Sequence, residues 1–76
     1  MFDELRHILV EKLRIPAHEI TPEATTFEVG LDSLAVIELS AEIRRRTGAQ
    51  VPPSELGEME QLGDIAEAMR QRAAAP

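Results

Sequence analysis

Gly30-Leu31-Asp32-Ser33-Leu34 is the stretch that decides the fold, because a loop rich in turn residues changes there into an amphipathic helix. Asp32 is predicted to cap this helix, since its side chain can accept hydrogen bonds from the free N–H groups of the first turn and its charge suits the helix dipole. Ser33 then falls in the first turn, held in place and exposed. Neither a nearby histidine nor a G-x-S-x-G or S-x-x-K pattern is present to activate it. We therefore expect Ser33 to be a covalent attachment point on which another enzyme acts.

The helix that begins at Ser33 has an end signal as clear as its start signal. Gly48 is the expected C-terminal stop, so the helix is predicted to end near Thr47. Cations are favoured at the negative end of the helix dipole, and the last turn contains Arg44, Arg45 and Arg46.

Two apolar stripes run along this helix at helical spacing. We assign one stripe to the core and expect the other to stay partly exposed beside Ser33, flanked by Glu38. The alternative is that both stripes are buried as one wide face. The core stripe consists of Val36, Leu39 and Ile43, and the exposed stripe of Leu34, Ile37 and Ala41.

A first helix is predicted from about Asp3 to Arg14, ended by Pro16, and its core face consists of Leu5, Ile8, Leu9 and Leu13. The segment from residue 15 to 32 is rich in proline, threonine and glycine and should be a long loop, in which the threonines form turns or caps. We expect this loop to pack over the helices through four apolar anchors, which are Ile20, Phe27, Val29 and Leu31.

The last third of the chain predicts two more helices. Ser54 is the expected cap of a short third helix limited by Gly57. A fourth helix should run from about Glu60 to Arg72, with residues 73–76 frayed, and should bury Leu62, Ile65, Ala66 and Met69. The predicted fold is all-α: one domain over residues 1–76, a small antiparallel four-helix bundle with three longer helices, one short helix and a long loop between helices 1 and 2.

Composition narrows the possible functions. With 76 residues the chain is too short for a deep catalytic cleft, and with only two phenylalanines as aromatics its core must be aliphatic. There is no cysteine, and His7 and His18 show no metal-ligand spacing, so we expect no metal site. No apolar run resembles a signal peptide or a membrane span. We expect a soluble, monomeric, cytoplasmic protein without a membrane or nucleic-acid partner.

The net charge of −6 lies within one segment. Residues 15–43 contain six acids and no lysine or arginine, whereas the remaining eight acids and eight bases cancel. Such a segment around Ser33 would attract a basic protein surface. The alternative is an ordinary solvated face. A small helical adaptor that binds a basic partner, and in which Ser33 merely caps a helix, is therefore a rival interpretation.

The order and spacing of the motifs along this sequence resemble those of the acyl carrier protein family, and the resemblance covers nearly the whole chain. Gly30-Leu31-Asp32-Ser33-Leu34 is similar to the family's G-x-D-S-L phosphopantetheine attachment motif. A bare D-S-L tripeptide is common, but here it follows an apolar helix, an Ile-Pro break and a loop with Phe27. It precedes Glu38-Leu39, Gly48, Val51-Pro52 and a final amphipathic helix. This combination is specific.

The resemblance implies a non-catalytic carrier. A phosphopantetheinyl transferase would move 4'-phosphopantetheine from coenzyme A onto Ser33, flanked by Asp32 and Leu34, and the thiol of that arm would hold acyl groups as thioesters. The other implied partners are a ketosynthase and an acyltransferase or acyl-activating ligase. The resemblance places the contact with these partners on the second helix, at Leu34, Ile37, Glu38, Ala41 and Glu42.

Two departures from the fatty-acid carriers bear on the pathway. Those carriers usually have an acid directly after D-S-L and an acidic end of the second helix, where this chain has Ala35 and three arginines. The pattern looks closer to free-standing carriers of polyketide and related secondary-metabolite pathways. Fatty-acid, aminoacyl and peptidyl carriers remain alternatives. The sequence does not reveal the cargo, the synthase, or whether the chain is part of a larger synthase.

Overall fold

A computed structural model describes residues 1–73. Of the frayed end predicted for residues 73–76, only Ala73 is described, and the rest lies outside the described residues. Residues 1–73 contain four α-helices and no β-strand, which confirms the predicted all-α fold. The helices are α1 (Phe2–Glu11), α2 (Ser33–Thr47), α3 (Pro53–Leu56) and α4 (Leu62–Arg72). None of these helices is long and apolar enough to span a membrane.

The three longer helices pack around an aliphatic core, as expected from a chain so poor in aromatics. α1 contacts both α2 and α4, and α2 contacts α3. The ion pair between Arg46 at the end of α2 and Glu4 at the start of α1, 3.2 Å long, shows that these helices are antiparallel. No polar side chain among the described residues is buried. The largest fully buried side chains are Leu5, Ile8, Leu9, Ile20, Leu39, Ile43, Val51, Leu56, Leu62, Ile65 and Met69.

Helix α1 ends three residues earlier than predicted. The chain turns at Arg14, which has a φ of 61°, and the Ile15 N–H donates to the Leu9 carbonyl at 3.0 Å. The helix therefore stops because the chain reverses onto it, before the restriction from Pro16 takes effect. This reversal buries Ile15 and leaves Leu13 only half-buried.

The short helix α3 begins differently from the prediction. Pro53 is its first residue and Pro52 precedes it, with no side-chain hydrogen bond at the cap. The predicted Ser54 cap is therefore wrong, because proline at the first helical position already supplies the required backbone angle without an N–H to satisfy. Gly57 ends the helix as expected.

The long loop before α2 is fixed to the start of α4 by three backbone hydrogen bonds. The N–H groups of Thr26, Leu62 and Gly63 donate to the carbonyls of Glu60, Ala24 and Pro22, each at 2.9 Å. Gly63 permits this approach, since a Cβ there would lie 3.0 Å from the Pro22 carbonyl oxygen. A glycine that only weakens α4 in the sequence pattern thus serves as the contact point of the loop.

Two of the four expected loop anchors are buried, one is half-buried and one is not an anchor. Ile20 and Val29 lie in the core, and Leu31 packs against it. Phe27 is 90% exposed, so its predicted packing over the bundle is wrong. In the turn that contains these residues, Thr26 and Val29 face the helices, and Phe27 lies on the opposite side.

Alanine substitutions should distinguish the buried stripe of α2 from its exposed stripe by their effect on stability. Leu39→Ala removes a side chain with no exposure, and we expect it to lower the free energy of unfolding by about 2–5 kcal/mol. Ile37→Ala removes a side chain that is 54% exposed and should cost much less. Urea denaturation followed by circular dichroism measures both. Equal losses for the two variants would contradict the assignment of separate faces.

Candidate functional site

The candidate site is built on the first turn of α2. Asp32 is in extended conformation as the N-cap, and its Oδ1 accepts a hydrogen bond from the Ala35 N–H at 2.9 Å. Its carbonyl accepts the first helical bond, from Val36 at 3.0 Å. The predicted cap is confirmed. Ser33 is the first helical residue and is exposed, so its hydroxyl is held at the positive end of the helix dipole and stays accessible.

The chain reaches Ser33 through a turn that requires glycine. Gly30 has a φ of 78°, a conformation that L-residues with a side chain rarely adopt, although a Cβ there would meet nothing within 4 Å. The constraint at Gly30 is therefore backbone conformation and not space. Leu31 follows with its N–H bonded to the Thr26 carbonyl at 2.9 Å, which ties the approach to the loop.

The described residues offer Ser33 no visible general base. His7 lies on α1 and His18 in the 3₁₀ turn Ala17–Glu19, and both are exposed, as expected of surface histidines. His18 lies 3.9 Å from the carboxylate of Glu19. No group of three or more potential metal ligands occurs among residues 1–73. The arrangement presents a hydroxyl without activating it.

The second apolar stripe of α2 lies on the surface beside Ser33. Leu34 is 67% exposed and Ile37 is 54% exposed, whereas the core stripe is buried. Glu38 and Ala41 are exposed as well. The prediction of two separate stripes is confirmed, and the alternative of one wide buried face is wrong.

Glu42 is the one residue of the predicted contact surface that the fold engages internally. Its carboxylate lies 2.8 Å from Arg45 and 4.0 Å from Arg46, and its side chain is only 19% exposed. The hydrogen bond from Arg45 is the main cause that lowers the pKa of Glu42. Burial opposes it, and the smaller effects of the Arg45, Lys12 and Arg46 charges lower the pKa further. Residues 15–43 contain no lysine or arginine, but in the folded chain Glu42 of this segment is paired with Arg45 and Arg46.

The three arginines at the end of α2 differ in their surroundings. Arg45 pairs with Glu42, and Arg46 pairs with Glu4 on α1. Arg44 forms no ion pair among the described residues. At 100° per residue Arg44 shares a side of the helix with Ser33 and Ile37, roughly 16 Å from Ser33 along the axis. The exposed side of α2 is thus apolar near Ser33 and cationic at its far end.

A reciprocal pair of hydrogen bonds in the loop escaped the sequence analysis. The Thr25 N–H donates to Glu28 Oε1 at 2.8 Å, and the Glu28 N–H donates to Thr25 Oγ1 at 3.0 Å. The backbone bond from Thr25 is the main reason that the pKa of Glu28 is lowered. The signal was present in the sequence as Thr-x-x-Glu, the capping-box pattern, but no predicted helix followed it.

Comparisons with known proteins agree with this geometry. The family model described as "Phosphopantetheine attachment site" matches residues 3–69. An acyl carrier protein of Saccharopolyspora erythraea is 37% identical over 68 residues, which cover 88% of this chain and 72% of that protein. One of Clostridium perfringens is 32% identical over 68 residues, covering 88% and 90%. One of Helicobacter pylori is 29% identical over 66 residues, covering 86% and 85%.

The chain belongs to the phosphopantetheine-binding acyl carrier protein family. Membership implies a covalently attached 4'-phosphopantetheine, and carriers of this family are generally non-catalytic. The described residues fit such a group, because Ser33 offers an exposed hydroxyl in the first helical turn, where the dipole favours a phosphate. The 76 residues contain no cysteine.

Loss of the Asp32 cap should destabilise α2. We expect Asp32→Ala to lower the free energy of unfolding by about 0.5–2 kcal/mol, because the Ala35 N–H loses its acceptor. Asp32→Asn keeps an acceptor oxygen and should cost less. Ser33→Ala is the matched control and should leave the midpoint of urea denaturation nearly unchanged. An Asp32→Ala midpoint equal to that of the wild type would contradict the capping role.

The pairing of Glu42 predicts a pH dependence. Because its pKa is lower in the folded than in the unfolded chain, the stabilisation is fully present above the ordinary glutamate pKa of about 4.3 and is lost as the pH falls through the folded value. An NMR titration should give Glu42 a midpoint below about 4.3. Glu42→Gln should reduce the loss of stability on acidification. An unchanged pH profile in that variant would contradict the pairing.

Proposed function

We propose that this protein is an acyl carrier whose arm is attached at Ser33. The observation that carries the proposal is an exposed serine, fixed by a helix cap and lacking a visible base, at the centre of the family motif. When bound, the 4'-phosphopantetheine supplies a terminal thiol that carries acyl groups as thioesters. The chain itself contributes position: Asp32 fixes the first turn, Leu34 borders the serine, and the bundle keeps both in place.

Attachment at Ser33 requires a phosphopantetheinyl transferase. The serine oxygen forms a bond to the phosphorus that bears the pantetheine arm of coenzyme A, the pyrophosphate bond of coenzyme A breaks, and the nucleotide bisphosphate leaves. We assign the base that takes the proton of the hydroxyl to the transferase, since His7 and His18 lie on other elements and Asp32 Oδ1 is engaged by the Ala35 N–H. The product is a phosphodiester at the positive end of α2.

The exposed side of α2 is the proposed contact surface for the transferase, ketosynthase and acyltransferase or ligase. Leu34 and Ile37 offer apolar area next to Ser33, and Glu38 adds a carboxylate that forms no ion pair among the described residues. Ala41 extends the apolar strip. Glu42 acts from the edge, where its charge is shared with Arg45 and Arg46.

For the pathway, we propose polyketide or related secondary-metabolite synthesis rather than housekeeping fatty-acid synthesis. Ala35 stands where fatty-acid carriers usually have an acid, and Arg44 gives the exposed end of α2 a positive charge. A partner with a basic surface would be repelled at that end and attracted near Glu38. Ala35 and Arg44 therefore support a partner whose contact surface carries both basic and acidic residues.

Loading with coenzyme A tests the attachment site. The purified protein, incubated with coenzyme A and a broad-specificity phosphopantetheinyl transferase, should gain one phosphopantetheinyl group in mass spectrometry. Ser33→Ala should gain none while keeping its circular dichroism spectrum, and Ser40→Ala, on the same helix, should be loaded like the wild type. An unmodified wild type under conditions that load a control carrier would overturn the proposal, and so would loading of Ser33→Ala.

A further inference from the structure

Phe27 is the most exposed large apolar side chain of the described residues. Its exposed fraction is 90%, compared with 67% for Leu34 and 54% for Ile37. Leaving a phenylalanine in water forgoes about 1.5–3 kcal/mol of burial free energy, a large amount for a chain of 76 residues. Neither the core nor the attachment of the arm at Ser33 accounts for its position.

The turn that carries Phe27 is held rigidly. Thr25 and Glu28, on either side of it, exchange two hydrogen bonds of 2.8 and 3.0 Å. Thr26 is bonded to the opposite segment twice, through its N–H to the Glu60 carbonyl at 2.9 Å and through its hydroxyl to the Met59 carbonyl at 3.3 Å. Because the backbone of the turn is already ordered, binding through Phe27 would cost only the conformational entropy of its side chain, which has two rotatable bonds.

The surroundings of Phe27 are acidic with a small apolar floor. Phe27 borders a shallow depression whose lining also includes Met59, Glu58 and Glu60. Glu28 follows it directly, and the hydrogen bonds from Thr25 lower the pKa of Glu28. An aromatic ring with carboxylates around it is complementary to an apolar pocket bordered by lysine or arginine.

Phe27 is close enough to Ser33 to fall within one interface. Six residues span at most about 21 Å when extended, and this segment is shortened by hydrogen bonds from Gly30 to the Phe27 carbonyl and from Leu31 to the Thr26 carbonyl, 3.1 and 2.9 Å long. A protein interface of standard size covers about 800 Å² per partner, a patch of roughly 16 Å radius. An enzyme that contacts an area of this size around Ser33 would reach about as far as this turn.

We propose that the Thr25–Glu28 turn is a second docking element, in which Phe27 enters an apolar pocket with a basic rim on the phosphopantetheinyl transferase that modifies Ser33. This inference rests on the proposed function. It adds to the surface on α2 an anchor from the preceding loop, so that the transferase holds the carrier at two places on the path into Ser33.

The kinetics of loading test this docking element. With a broad-specificity phosphopantetheinyl transferase and coenzyme A, Phe27→Ala should lower kcat/KM for the carrier about tenfold through KM, with kcat and final loading of Ser33 unchanged. Phe27→Tyr keeps the ring and should stay within about twofold of the wild type. Because Phe27 is 90% exposed, its variants should unfold at the same urea concentration as the wild type.

A charge reversal with a matched control tests the basic rim. Glu58→Lys should lower kcat/KM, and the loss should shrink at high salt. Asp3→Lys makes the same change where α1 begins, beside the end of α2 that lies away from Ser33, and should have no effect. A Phe27→Ala protein loaded with wild-type kcat/KM would overturn the docking element and leave the proposed function intact. Failure to load the wild type at all would overturn both.

Discussion

The position of Ser33 depends on the hydrogen bonds that join the long loop to the start of α4. Three backbone bonds of 2.9 Å link residues 22–26 to residues 60–63. Without them the connection between α1 and α2 would keep only its apolar contacts and the hydrogen bond from the Thr26 hydroxyl to the Met59 carbonyl, and the turn before Ser33 would lose most of its support. A small aliphatic core gains stability from every ordered segment that packs on it, because the chain has little other surface to bury. The loop is therefore part of the bundle and not an appendage.

This constraint also explains why the site displays a serine without activating it. The cap by Asp32 and the glycine turn at Gly30 fix the backbone around Ser33, while the side chain itself stays exposed. An enzyme that uses a serine as nucleophile needs a base held within hydrogen-bond reach, which takes additional buried polar structure. The described part of this chain has no buried polar side chain. The backbone around Ser33 is therefore held by the cap and the loop, and the serine side chain is left at the surface.

Charge is distributed differently in space and along the chain. The acidic segment around Ser33 contains no base in the sequence, yet α2 brings Arg45 and Arg46 back onto Glu42, and α1 contributes Lys12 to the same region. On the exposed side of α2, Glu38 near the serine and Arg44 about three turns away form no ion pair among the described residues. The face that composition alone predicts to be acidic therefore carries both negative and positive charges. Charge counts along a sequence do not contain this information, because pairing depends on which helices are neighbours.

The sequence by itself determined α2, its cap, its stop at Gly48 and the family motif, because capping, helical periodicity and turn chemistry act over a few residues. It also assigned Leu39 to the core and Ile37 to the surface correctly. Only the tertiary structure decided where α1 ends, why Gly63 is a glycine and that Phe27 faces solvent. Each of these depends on a contact between distant segments: the return of Ile15 to α1, the approach of Pro22 to α4, and the inward orientation of Thr26 toward Met59. Local patterns identify elements, whereas the packing of the loop on the bundle decides which side chains a partner can reach.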